Sequence, residues 1–124
     1  MYNTVIFCLD KRDGLSFGGR RLSRDNEIFK DIEKDFGAVA IYSEISAEFL
    51  KTDKTSDTVF CEVEIPPQYL NNCQKAVIYR FDREYPFDIS LQKDFYDSFA
   101  LKQKTEMQGN SHDKIFKEIW EKIK

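Results

Sequence analysis

Three short stretches of this chain carry the residue types that bind anions and move protons. The first is "FGGRRLSRD", residues 17–25, with two glycines, three arginines, a serine and an aspartate in nine positions. If a helix begins near Ser23, its leading N–H groups lack intrahelical partners and carry partial positive charge. Arg20, Arg21 and Arg24 around such a start would grip a phosphate or carboxylate in bidentate fashion. Gly18 and Gly19 would let the backbone approach that ligand closely. Asp25, in the first turn, could pair with one arginine and fix it. A capped, solvated helix start whose arginines pair with nearby carboxylates satisfies the same residues.

The second stretch is "QGNSHDKIF". Gly109 and Asn110 read as a turn, Ser111 as an N-cap, and His112 as a residue of the first helical turn. There the helix dipole disfavours the imidazolium, leaving a neutral ring that can act as general base or hydrogen-bond donor beside an anion. A surface histidine beside a cap is the simpler alternative. His112 is the one histidine of the chain, which excludes a multi-histidine zinc site. The third stretch, "YRFDREYPFD", crowds Asp82, Arg83, Tyr85, Pro86 and Asp88 into a loop leaving a strand. Ligands of open parallel sheets bind outside the carboxyl ends of strands. Asp10 would leave the first strand on the same edge. The four carboxylates Asp10, Asp25, Asp82 and Asp88 could there hold Mg²⁺ beside a phosphate, or form an internally paired Asp–Arg loop.

These segments need elements to position them. "TVIFCL" reads as a strand covered on both faces, followed by the polar loop "DKRDGLSFGGRR". A helix follows, with Ile28, Phe29, Ile32 and Phe36 on one face, Ser23 or Asp25 as cap and Gly37 at its end. "AVAIY" reads as a second strand, and Ser46 as the cap of a short helix, "SAEFLKT". "TVFCEVEI" alternates as a half-exposed strand, with Glu62 and Glu64 on the open face. "PPQYLNN" suits a helical turn or two, "KAVIYRF" a fourth strand and "SFALKQ" a fifth. A last helix is predicted from about Ser111, with Ile115, Ile119 and Ile123 on one ridge. Strands alternating with helices make one three-layer α/β domain over residues 1–124, with a mixed, mainly parallel sheet of about five strands.

Bulk properties narrow the function. The 124 residues carry a net charge of −3, with eleven Phe and six Tyr, a composition that folds rather than staying disordered. The acidic balance leaves no wide footprint for duplex DNA but permits a local basic pocket. Cys8, Cys61 and Cys73 have no framework spacing and read as reduced, buried thiols. With no leader pattern and no run of membrane-spanning length, the expected location is cytoplasmic. There is neither a Walker loop nor a G-x-G-x-x-G fingerprint, so no motif assigns a cofactor.

Taken together, "DKRDGLSFGGRRLSRD", "VIYRFDREYPFD" and "QGNSHDKI" resemble a family of short, functionally uncharacterised Firmicutes proteins. Its pattern runs D-x3-G-x2-F-x2-R-R-x-S-R-D, Y-P-x-D and G-x-S-H-x-K-I. Some members carry the label ribonuclease Z, whose H-x-H-x-D-H zinc motif one histidine cannot supply. The resemblance places the three segments in one site. A first strand ending in Asp10, a "DG" loop and a helix opening with a carboxylate also resemble the start of dihydrofolate reductase. The later Gly-Gly turn and Leu-Pro-Trp segment of that family are absent, so this second resemblance implies architecture and not activity.

The expectation is therefore an anion- or phosphate-binding crevice acting on nucleotide or RNA phosphate, its partner a small phosphorylated ligand or single-stranded RNA. His112, Asp25 and Asp88 would serve catalysis. Arg20, Arg21, Ser23, Arg24, Arg83 and Ser111 would bind the ligand, without a metal. The alternative is a non-enzymatic interaction module, of accessory or immunity type, presenting Tyr85, Phe87, Phe95 and Tyr96 to a protein partner.

Overall fold

In a computed structural model, which describes residues 2–42, 50–64 and 66–123, the apolar runs assemble into a six-stranded sheet. Its strands are β1 (Thr4–Leu9), β4 (Ala40–Tyr42), β5 (Thr58–Cys61), β6 (Lys75–Phe81), β8 (Phe99–Met107) and β9 (Ile115–Lys122). They lie in the order β4-β5-β1-β6-β9-β8. β4, β5, β1 and β6 pair in parallel, while β9 runs antiparallel to both β6 and β8. The sheet is thus mixed and mainly parallel, as expected.

Alternation along β1 and β6 sends side chains to two cores. Val5, Phe7, Leu9, Ala76 and Ile78 face one, which also holds Phe95 of the short helix α3 (Phe95–Ser98) and Tyr69 and Leu70 of α2 (Pro67–Asn72). Ile6, Val77 and Tyr79 face the other, where Ile28, Phe29 and Ile32 of α1 (Asn26–Phe36) pack. Helices on both faces make the three layers. Asp25 is the N-cap of α1, its carboxylate accepting the Glu27 N–H, and Gly37 at φ 68° ends the helix. Ser23 is not the cap. The helix expected from Ser46 lies mostly outside the described residues.

Three short strands form a second sheet at the edge of the first: β3 (Arg20–Arg21), β2 (Gly14–Phe17) and β7 (Ile89–Ser90), in that order. β2 and β3 make a two-residue hairpin with Phe17 opposite Arg20. Gly18 and Gly19, at φ 60° and 78°, supply the two positive φ angles of such a turn. The glycines therefore turn a hairpin, and Arg20 and Arg21 lie on a strand rather than around a helix start.

Two other expectations are corrected. The last element is the strand β9, not a helix. Ile115, Ile119 and Ile123 are four residues apart, which is one helical repeat but also two strand repeats. Ile115 and Ile119 face the α1 side, while Trp120 meets the opposite core. β5 is not half-exposed: all four of its residues are buried, as fits a strand between β4 and β1. Glu62, which follows it, is buried as well.

Candidate functional site

The parallel strands β1, β5 and β6 end at Leu9, Cys61 and Phe81, and α1 starts on this edge. Because β9 runs the other way, its first residue, Ile115, pairs with Phe81. That reversal delivers the loop 109–112 to the start of α1, and Asp25 joins the two. Its Oδ1 accepts the N–H groups of Glu27 (3.0 Å) and Asn110 (2.8 Å). Its Oδ2 accepts those of Ser111 (2.9 Å) and His112 (3.1 Å), and the His112 ring Nδ1–H at 3.0 Å. Burial alone would raise the pKa of this carboxyl. The bonds from Asn110, the His112 ring, Glu27 and Ser111 outweigh that and hold it at about 2.

A carboxylate on Nδ1 fixes the tautomer of His112, so Nε2 carries the lone pair in the neutral ring. That nitrogen faces two hydroxyls, Tyr85 Oη at 2.8 Å and Ser23 Oγ at 3.2 Å. The imidazole is buried and stacks on Phe81, with centroids 4.4 Å apart. No helix follows Ser111, so the helix-dipole argument for His112 falls away. Ser111 is not a cap; its hydroxyl donates to the Arg24 carbonyl and to Asp25. Asp25, His112, Ser23, Tyr85 and Ser111, drawn from three distant segments, are in direct contact.

Two hollows lie near these residues. One, of about 300 Å³ including space open to solvent, is lined by Ser23, Arg21, Arg24, Asp25, Glu62 and apolar side chains of β1, β2, α1 and β5. The other, of about 440 Å³ including space open to solvent, is lined by Asp82, Arg83, His112, Asp113 and Lys114. Arg83 is exposed, and Asp82 pairs with Lys11 at 3.3 Å.

The other expected residues scatter. Arg21 Nη1 binds the buried Glu62 at 3.0 Å, an ion pair sealed into the edge of the sheet. Arg20 and Arg24 are exposed. Asp88, also exposed, accepts the Gly18 N–H at 3.1 Å and so braces the hairpin. The four carboxylates do not converge. Asp10 is buried and bonds the N–H groups of Arg12, Gly14 and Tyr85. Among the described residues no three His, Cys, Asp or Glu side chains gather as metal ligands. Of the aromatics expected on a partner face, Phe95 is buried, while Tyr85 and Tyr96 spend their hydroxyls on His112 and on Asp13.

Two partly buried networks are not foreseen from the sequence. Arg80, next to last in β6, binds Asp13 (2.7 Å), Glu118 (3.1 Å) and the Asp10 carbonyl (3.0 Å). A lone arginine in the apolar run "KAVIYRF" needs internal partners, and that was the available signal. On the opposite face Tyr79 donates to Asp31 at 2.6 Å, and Lys117 pairs with Asp31 at the same distance and with Asp35. The three thiols are free; burial pushes Cys73 up to about 11 and Cys61 well above its usual value.

Comparison with known proteins adds the fold. No family model matches the sequence, and no curated protein matches it either. Among solved structures, the dihydrofolate reductase from Enterococcus faecalis complexed with NADP(H) and RAB-propyl superposes with a TM-score of 0.69. The match covers 99% of this chain and 99% of that one, at 7% sequence identity. No helix among the described residues is long and apolar enough to cross a membrane. The chain is an α/β domain with a mixed, mainly parallel sheet and the fold of dihydrofolate reductase.

Proposed function

We propose that the protein binds a small phosphorylated ligand at the carboxyl edge of its parallel strands and uses His112 there as proton acceptor and donor. The observation that carries this reading is the Asp25–His112 pair, whose Nε2 faces the Ser23 and Tyr85 hydroxyls. A buried carboxylate orients the ring and stabilises the imidazolium that forms when Nε2 takes a proton. Arg83 and Lys114 line the adjoining hollow together with Asp82 and Asp113 and are its cationic groups, with Arg24 beside Ser111. A nucleotide or the phosphate of single-stranded RNA is the most concrete ligand, and the cytoplasm the location. The meeting of Ser23, Asp25, Tyr85, Ser111 and His112 also supports grouping the chain with the short Firmicutes proteins that share those motif positions.

Thermal unfolding in the presence of phosphate, sulfate, mono- and dinucleotides, NADPH and short RNA, with and without Mg²⁺, tests this. A ligand at one hundred times its dissociation constant adds about 2.7 kcal/mol. That gain should appear in the parent protein and shrink in Arg83→Ala. Flat responses in both overturn the reading.

The second reading, a non-enzymatic interaction module, is favoured by Phe17. This side chain is 56% exposed beside the Gly18-Gly19 turn, with Arg20 opposite. An exposed aromatic on a hairpin tip is an anchor for a protein partner.

A further inference from the structure

We propose that Ser23 is a covalent nucleophile, activated by His112 and Asp25, toward carboxylic esters. The inference rests on the reading of His112 as a proton acceptor and goes beyond it by naming the attacking atom and the substrate class. A serine at residue 23 would be idle if it capped α1, but Asp25 is the cap. The Ser23 hydroxyl bonds His112 Nε2 at 3.2 Å, and His112 Nδ1 bonds Asp25 Oδ2 at 3.0 Å. Hydroxyl, imidazole and carboxylate in that order form the relay that activates serine on several unrelated folds.

Ser23 is half-buried and borders a hollow walled by Leu15, Ile28, Phe29 and Phe60 and by the charged Arg21, Arg24 and Glu62. The room in that hollow is about 10 Å³, no more than a water molecule needs. An ester carbonyl therefore meets the hydroxyl from its solvent-facing side.

The steps balance without a metal or a cofactor. Ser23 Oγ bonds to the ester carbonyl carbon as its proton passes to His112 Nε2. The bond from that carbon to the leaving alcohol breaks, and the proton moves from Nε2 to the departing oxygen. Water then attacks the acyl carbon, giving a proton to Nε2. The acyl–Oγ bond breaks, Ser23 regains the proton, and the carboxylic acid leaves. Tyr85 Oη, at 2.8 Å from the same nitrogen, competes with Ser23 for the lone pair. It restrains the nucleophile in the resting protein.

An alkyl fluorophosphonate probe, read by mass spectrometry of the labelled peptide, tests the assignment. Ser23 Oγ attacks phosphorus and fluoride leaves. Label is expected on Ser23 in the parent protein and none in Ser23→Ala, a small change that leaves the fold to be checked by its unfolding midpoint. In His112→Gln the labelling rate should drop at least about 100-fold, and in Tyr85→Phe it should rise. Hydrolysis of p-nitrophenyl acetate should follow the same order. Absence of label on Ser23, or equal rates in the parent and a folded His112→Gln, overturns the proposal. The anion reading fails separately: label on Ser23 with no stabilisation by any phosphate overturns that reading alone. Stabilisation by phosphate with no label overturns only the nucleophile.

Discussion

Asp10 and Asp25 sit on the same edge of the sheet, both buried, both collecting backbone N–H groups from two segments of chain. Asp10 gathers Arg12 and Gly14 from the loop after β1 and Tyr85 from the loop after β6. Asp25 gathers Glu27 from α1 and residues 110–112 from the loop before β9. Each clasps two loops that would otherwise leave buried donors without acceptors. The difference lies in side chains, of which Asp25 binds the Ser111 hydroxyl and the His112 ring. Asp25 also holds an imidazole whose far nitrogen reaches two hydroxyls, whereas Asp10 binds only main chain. One device thus gives a structural clasp at one place and a proton relay a few residues away in space, joined through Tyr85, whose N–H serves Asp10 and whose hydroxyl serves His112.

Truncating either carboxylate should be the most costly change. Asp10→Ala and Asp25→Ala each strand several buried N–H groups, and a loss of about 3–5 kcal/mol is expected in urea unfolding. The comparison breaks if Asp10→Ala is within 1 kcal/mol of the parent, roughly the worth of a single hydrogen bond. The two should part company in the milder Asn variants. Asp25→Asn should weaken the hydrogen bond that holds the His112 Nδ1–H, read from the NMR signal of that ring proton, and Asp10→Asn should leave that signal in place.

Next in size come the glycines lodged against each carboxylate. A Cβ on Gly109 would lie 2.5 Å from the His112 carbonyl oxygen and 2.6 Å from Asp25 Oδ2. Neither atom can move without opening the clasp. A Cβ on Gly14 would meet the Phe87 ring at 2.4 Å and Asp10 Oδ1 at 3.0 Å. Phe87 is a partly exposed side chain and can swing aside. Gly109→Ala should therefore cost about 1–3 kcal/mol, the range for overpacking, and Gly14→Ala less. The reverse order in thermal melts would show that the Asp10 clasp is the more rigid one.

Acid provides the gentlest test. The Asp25 carboxyl lies at about 2 in the fold, against an ordinary value of 3.8. Between those values the unfolded chain binds the extra proton, so stability rises with pH there. The contribution is fully present above about pH 4 and is lost as pH falls toward 2. Asp25→Asn should flatten the dependence of the urea midpoint on pH in that window. An unchanged slope would mean that other carboxylates govern acid unfolding.

Much of the frame is legible in local sequence. β1 and β6 show as unbroken apolar runs, and α1 as an amphipathic segment between a cap and a glycine. β9 is not, because a spacing of four fits both periods and only its neighbours β6 and β8 decide. Glu62 belongs to the alternating run "TVFCEVEI", which puts it on an open face. The ion pair with Arg21, forty-one positions away, is a tertiary fact with no local trace. The same holds for the site. Its residue types stand out in three motifs, but the Asp25–His112 contact spans eighty-seven positions. Treating Ser23 and Ser111 as helix caps hid what their hydroxyls touch. The Gly-Gly pair was readable as a hairpin turn, and the arginines beside it drew the reading toward an anion instead.

The reversed direction of β9 has a consequence in time. Asp25 is made before the loop that satisfies it, which leaves the ribosome eighty-five to eighty-seven residues later, just ahead of β9. Until β9 docks on β6, Asp25 can cap α1 but has no ring to orient, and Ser23 has no base. Contacts of such long separation are slow to form. The relay therefore depends on the pairing of β9 with β6, and a chain in which that pairing is undone carries every residue of the site without the Asp25–His112 contact.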